Sequence, residues 1–249
     1  MERHSMIIWN NIPSTSSSNM VKKSRGTQRR EESLSRDQII EASIALLDNG
    51  GESGLTFRAL SERLATGAGA IYWYVDNKSD LLTAACDAVI AGTVDATSNA
   101  AALDASPKTA IRALALGMFD AIDAHPWVGA ALTRAPGQLP TVRIFECIGQ
   151  QVRALGVPKK AEWGAVSALL SYILGVSGQN AANAHVAREL DADRTRFLNE
   201  VATMWSELDA DEFPFTRSVA GRLRSHDDRG DFLTGIDLIL AGIETTHGR

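Results

Sequence analysis

The stretch "LTFRALSERLATGAGAIYWYVDNKSDLL", Leu55 to Leu82, decides the fold. Thr56 offers a hydroxyl at the cap position of a helix, and Phe57, Leu60 and Leu64 then recur on one helical face. "TGAG" follows as a tight turn. A short third helix carries three consecutive aromatics, Tyr72, Trp73 and Tyr74. At roughly 100° per residue, Ile71 and Val75 define its core face, with Ala68 and Tyr74 at the flanks. Tyr72 lies well off that direction. Trp73 points almost directly away from it, beside Gly69 and Ala70. Aromatics at helical spacing are ordinarily core residues. That reading fits Tyr74 in part and Trp73 badly, so an exposed Trp73 marks a partner surface. Asn77 caps a fourth helix, with Asp80 at its third position and Leu81 and Leu82 opening its apolar face.

Upstream, Ser35-Arg36-Asp37-Gln38 forms a capping box. Ile40, Ile44 and Leu47 repeat at i, i+4 and i+7, and Asn49, Gly50 and Gly51 end this first helix. Two short helices joined by a tight glycine-containing turn and supported by a capped helix make a helix-turn-helix. These residues resemble the DNA-binding domain of the TetR family of bacterial transcriptional regulators. The family pattern runs Leu-Thr, a short helix ending in Leu-Gly, Leu-Tyr-x-His-Phe/Val, then two residues, Lys and a Leu pair. It is met by Leu55-Thr56, Leu64, Ile71-Tyr72-Trp73, Val75, Lys78 and Leu81-Leu82. Tyr74 stands where the family has His, and Ala65 where it has Gly. The similarity covers Ser35 to about Ala88, and the closing "DFLTGIDLILAGIE" resembles the family's last helix.

The resemblance implies an all-α chain. A helix-turn-helix DNA-binding domain spans 35–85, and a helical effector-binding and dimerisation domain spans 86–249. It also implies a set of DNA contacts. Thr56 meets a phosphate through its hydroxyl and N–H, a role compatible with simple capping. Arg58 reads guanine by two hydrogen bonds, or else is a solvated charge. Tyr72 contacts the DNA backbone, Lys78 pairs with phosphate, and Tyr74 donates to phosphate. Gly69 and Ala70 offer close approach and contact with a thymine methyl. Ala68 and Trp73 complete the set, and specificity leans on Arg58, Trp73 packing and DNA shape.

Charge complicates this picture. From Ser35 to Ala85 four bases (Arg36, Arg58, Arg63, Lys78) face seven acids (Asp37, Glu41, Asp48, Glu52, Glu62, Asp76, Asp80), a net charge of −3. The preceding residues 1–34, Ser- and Asn-rich, read as a disordered arm. They contain Lys22, Lys23, Arg25, Arg29 and Arg30, which supply the missing positive charge and reach for an adjacent minor groove. The plain alternative is a solvated tail. Met20 precedes the basic run, and we read it as the biological start.

Beyond the motif, helices are expected over 107–123, 127–133, a segment ending at Leu155, 161–187, 193–208 and 231–245. A long irregular connection covers 209–230. Gly164, Ala165, Ala168, Ser171, Gly175, Gly178 and Ala182 let the long helix pack closely. With the last helix it forms a homodimer interface across a two-fold axis, unless it is a core helix of one subunit. Candidate ligand-binding residues are Phe119, Trp127, Phe145, Trp163 and Tyr172, with Gln179, Asn180 and Asn183 as polar partners. For the aromatics the ordinary reading is core.

The remaining composition excludes more than it adds. The chain has 249 residues, 45% hydrophobic, and a formal net charge of −5. Two distant cysteines, Cys86 and Cys147, form no disulfide framework, which points to the cytoplasm. No apolar run approaches the ~20 residues of a membrane span. The histidines lack metal-ligand spacing, and no triad, P-loop or dinucleotide fingerprint occurs, so neither enzyme activity nor a cofactor is expected. The expected function is a ligand-responsive repressor, released from a palindromic operator by a small-molecule effector. An activator or effector-independent regulator is the nearest alternative. A helical enzyme or protein-binding adaptor with a vestigial helix-turn-helix is the more distant one.

Overall fold

The computed structural model describes residues 34–101, 106–134, 137–189 and 193–247. The basic run with Lys22, Lys23 and Arg25 lies outside them. The chain forms α1 (Arg36–Gly54), α2 (Phe57–Arg63), α3 (Ala68–Ile71), α4 (Lys78–Ala101), α5 (Pro107–Ala124) and α6 (Pro126–Arg134). Then come α7 (Leu139–Ala154), α8 (Lys159–Glu189), α9 (Arg194–Glu207), α10 (Pro214–Val219), a 3₁₀ turn (Ala220–Ser225) and α11 (Asp228–His247). No strand occurs among the described residues, and the fold is all-α.

The helix starts obey local chemistry. Ser35 and Gln38 exchange both bonds of a capping box, at 3.2 and 3.0 Å. Thr56 accepts from the Ala59 N–H at 3.1 Å and Asn77 from the Asp80 N–H at 3.0 Å. Asp193 caps α9 through its carboxylate. Pro107 opens α5, although the Ser106 side chain makes no capping bond. The stops are as specific. Gly51, at φ +59°, breaks the regular part of α1, and a final turn carries it on to Gly54. Gly156, at φ +79°, ends α7.

The core is one continuous apolar cluster. Ile39, Leu47, Leu55, Leu60 and Ile71 fill it beneath α1–α3, and Ile111, Met118, Ile122, Ile144 and Ile173 fill it among α5, α7 and α8. Helix α4 joins the two regions, packing on α1, α5 and α7. Helix α11 lies antiparallel to α5. Lys108 pairs with Glu244 (2.5 Å), Arg112 with Asp237, and Arg229 bidentately with Asp120 (2.9 and 3.0 Å). Phe232, Ile236 and Ile243 are buried as the α11 stripe requires, with Ile239 at its edge. Where α8 meets α11, Tyr172 stacks on Phe232 and donates to its carbonyl (3.2 Å). A Cβ on Gly235 would stand 1.8 Å from the Tyr172 hydroxyl, so only glycine admits this contact.

Two expectations need correction. The connection after α9 is not irregular: α10 and the 3₁₀ turn occupy most of it and pack on α9. α10 buries no side chain and therefore has no apolar stripe to read. Helix α4 is also more apolar than expected. Lys78–Ser98 is long and apolar enough to pass as a membrane span by length and composition, because its alanines raise the mean hydropathy without forming an obvious run. Four helices, α1, α5, α6 and α7, pack against it, and Arg143 of α7 grips its Asp87 bidentately at 2.9 and 3.2 Å.

Candidate nucleic-acid interface

Helix α3 is shorter than its sequence promised. It covers four residues, and Tyr72, Trp73 and Tyr74 lie in the turn that follows. The backbone around them nevertheless keeps the expected inward and outward faces. Ile71 and Val75 are buried, whereas Trp73 is 89% exposed. Gly69 has open space about it and Ala68 is exposed, so this edge is low and accessible beside the indole. Thr56 and Arg58 stand exposed at the start of α2, and a groove lined by Arg58, Glu62, Thr66 and Ala68 separates the two short helices.

The turn between those helices carries strain. Leu64 caps α2, and Ala65 follows at φ +49°, in the left-handed region that glycine usually fills. Thr66 N–H reaches the Ser61 carbonyl at 3.0 Å and Ala65 N–H the Glu62 carbonyl at 3.3 Å. That pair of bonds is a Schellman ending. The Ala65 departure from the family pattern therefore leaves the turn intact and charges it with a left-handed alanine.

Four of these side chains have an intramolecular partner that tempers the expected role. Tyr72 stacks on Phe57, ring centroids 4.4 Å apart, and stays about half exposed. Its ring is thereby held edgewise at the junction of α2 and α3. The Tyr74 hydroxyl donates to the Leu34 carbonyl at 2.6 Å, so its proton is not free for a phosphate. The Lys78 ammonium donates to the Glu52 carbonyl at 2.5 Å and fastens α4 to the end of α1. Arg58 pairs with Glu62 at 3.0 Å, but both side chains are largely exposed, and such a pair exchanges readily for a better partner.

The candidate ligand residues do not converge. Phe119 is buried against Phe232, on which the half-buried Tyr172 also stacks, and both read as core. Trp127 is buried, and its indole N–H donates to Asp48 at 2.7 Å. Phe145 packs on Trp163, which is 73% exposed on α8. Gln179 donates to Asn183 (2.9 Å) and Asn180 to Asp123 (3.1 Å). Aromatic content alone therefore pointed to packing. The sequence reading missed Asp48, which accepts from Trp127 and contacts His125 Nδ1 at 2.7 Å, tying α1 to the α5–α6 corner. Nothing in an isolated aspartate announces such a tie.

Comparison with known proteins agrees with this geometry. A family model of bacterial regulatory proteins, tetR family, matches residues 39–85. The structure is similar to that of the transcriptional regulator SCO7222, a TetR from Streptomyces coelicolor. The two share 51% identity over 86% of this chain and 99% of that one, with a TM-score of 0.77. An HTH-type transcriptional regulator of Saccharopolyspora erythraea is 28% identical over 86% of each chain. The class C tetracycline repressor of Escherichia coli is 40% identical over 57 residues, 23% of this chain and 26% of its own. The chain thus belongs to the TetR family of bacterial regulatory proteins and is a helix-turn-helix, DNA-binding regulator of transcription.

Proposed function

We infer that the chain is a homodimeric repressor that holds operator DNA through the α2–α3 edge and lets go when a small molecule binds its larger helical part. The observation that carries the DNA reading is Trp73, 89% exposed at the tip of a turn anchored by buried Ile71 and Val75. A solvated indole beside Gly69 and Ala70 fits a major groove, where an apolar face meets thymine methyls. Thr56 and Arg58 at the start of α2, and Tyr72 in the same turn as Trp73, add polar contacts to this edge. Lys78 and Tyr74 act on this reading as braces that fix the edge. The DNA-binding unit is taken as 35–85 and the remainder, 86–249, as the responsive unit. A regulator of this kind works in the bacterial cytoplasm.

One short helix reads too little DNA alone, and two half-sites about one turn apart supply the rest. Support for a dimer comes from α8, where Gly164, Ala168, Ser171, Gly175 and Ala182 share an exposed face that no element of the subunit covers densely. Leu238 of α11 is 70% exposed as well. The relationship to the tetracycline repressor, named for both a ligand and a repressor action, supports release by a small molecule. Gel shift on DNA flanking the chain's own gene tests the reading. Wild type is expected to retard it, and Trp73→Ala to lose most of that binding. Unchanged retardation by Trp73→Ala would remove the indole from the interface. Arg58→Ala is expected to relax preference at one base pair per half-site. Deleting residues 20–30 should flatten the salt dependence of binding.

A further inference from the structure

A cavity of about 390 Å³ opens where the last turn of α1, the start of α4, the end of α6 and the start of α7 meet. Its volume lies in the range of small-molecule sites, ~300–1,000 Å³. None of the aromatic or amide residues expected from the sequence to bind ligand lines it. Its wall has two chemistries. Leu82, Cys86, Leu132 and Pro140 are apolar, whereas Glu52, Lys78, Arg134 and Thr141 are polar.

Two features of that wall ask for a ligand. The first is Thr141, only 6% exposed, whose hydroxyl has no hydrogen-bond partner among the described residues. Ser43, Thr93 and Thr97 in other helices bond the carbonyl four residues back. Thr141 is the third residue of α7, so the residue four before it, Gly137, precedes the helix. Its position denies it that escape, and a buried unmade bond costs about 1–3 kcal/mol. The second feature is charge. The Arg134 guanidinium pairs with the Glu52 carboxylate at 2.5 Å, and Lys78 donates to the Glu52 backbone carbonyl at 2.5 Å. Two cations face one carboxylate, so the wall carries a single net positive charge. The first turns of both α4 and α7 contribute lining residues, and their dipoles add to the same sign.

We propose that this junction cavity binds a small amphipathic monoanion, an apolar body bearing one carboxylate or sulfonate, and that the acid group takes Arg134 away from Glu52. The apolar body lies against Leu82, Leu132 and Pro140, and Thr141 gains the bond it lacks. The Arg134–Glu52 pair ties α6 to α1, so its exchange loosens the helix that supports α2 and α3. The regulatory meaning rests on the effector-released reading above; the binding site does not.

Fluorescence titration of the full-length protein with 1-anilinonaphthalene-8-sulfonate tests the site. N-phenyl-1-naphthylamine serves as the uncharged counterpart. One saturable site per chain is expected for the sulfonate. Loss of a charged hydrogen bond in Arg134→Gln should weaken it roughly tenfold. Glu52→Gln removes the competing carboxylate and should tighten it. Ala131→Phe, which fills the cavity, should abolish it. Arg134 and Glu52 are exposed enough that their variants fold, which thermal melts check, and Arg153→Gln on the far end of α7 should leave binding unchanged. Equal affinity in wild type, Arg134→Gln and Glu52→Gln, or equal binding of the uncharged amine, overturns the proposal. Persistence of the operator complex while the sulfonate saturates the cavity would instead count against effector release, with the site intact.

Discussion

Two helices of this protein end in the same way with different residues, and the pair makes an internal experiment. α2 closes with Ala65 N–H on Glu62 and Thr66 N–H on Ser61, and α7 with Gly156 N–H on Arg153 and Val157 N–H on Val152. The left-handed residue is Ala65 (φ +49°) in one and Gly156 (φ +79°) in the other. A left-handed conformation costs an L-residue about 1–2 kcal/mol. Glycine escapes that cost but loses about 0.4–1 kcal/mol through its freer unfolded chain. The difference predicts that Ala65→Gly stabilises by roughly 0.5–1 kcal/mol. Ala65 is exposed, so removing its methyl forfeits no burial. Gly156→Ala should destabilise by about the same amount, because a Cβ there meets nothing within 4 Å and the cost is purely conformational. Urea unfolding at one fixed protein concentration measures both, as a shifted midpoint at constant slope. Opposite shifts are expected, each equivalent to about 2 °C in Tm. Shifts of the same sign, or a destabilised Ala65→Gly, would refute the account of the turn.

Other perturbations follow from single contacts. Asp48→Ala leaves the buried Trp127 indole without its acceptor and should cost about 1–3 kcal/mol, with Asp48→Asn restoring much of it; chemical unfolding measures both. Gly235→Ala drives Tyr172 off Phe232 and should cost about 1–3 kcal/mol, read as a lower Tm. Burial, with a smaller push from Asp87, raises the Cys86 thiol from 9.0 to about 12. The native protein should therefore label first at half-buried Cys147 when titrated with a thiol reagent at pH 8, and at Cys86 only on unfolding. The unfolded chain loses the Cys86 proton first, so stability should fall as pH rises from 9.0 toward about 12, and less steeply in Cys86→Ala.

The helix-turn-helix was legible because its signals are local. Ser35, Thr56 and Asn77 cap helices that begin one residue later, and the caps form as read. Ile71 and Val75 are four residues apart, and the backbone carries both inward even though α3 ends at Ile71. The exposure of Trp73 followed from that spacing. The site's finer chemistry was not legible. Tyr74 meets Leu34 forty residues away, and Lys78 meets Glu52 twenty-six residues away. The ligand candidates do not converge for a related reason: large aromatics report packing, and Phe119 and Tyr172 are spent on Phe232.

By itself, then, the sequence determined where the capped helices begin, which faces turn inward, and that one indole stays in water. Those follow from covalent geometry and from groups a few residues apart. Tertiary structure alone decided which phenol and ammonium are engaged, that Asp48 braces the α5–α6 corner, and that Glu52, Lys78, Arg134 and Thr141 share one cavity. Such meetings depend on the angles and separations at which helices cross, and those are set by the packing of the whole core rather than by any local run.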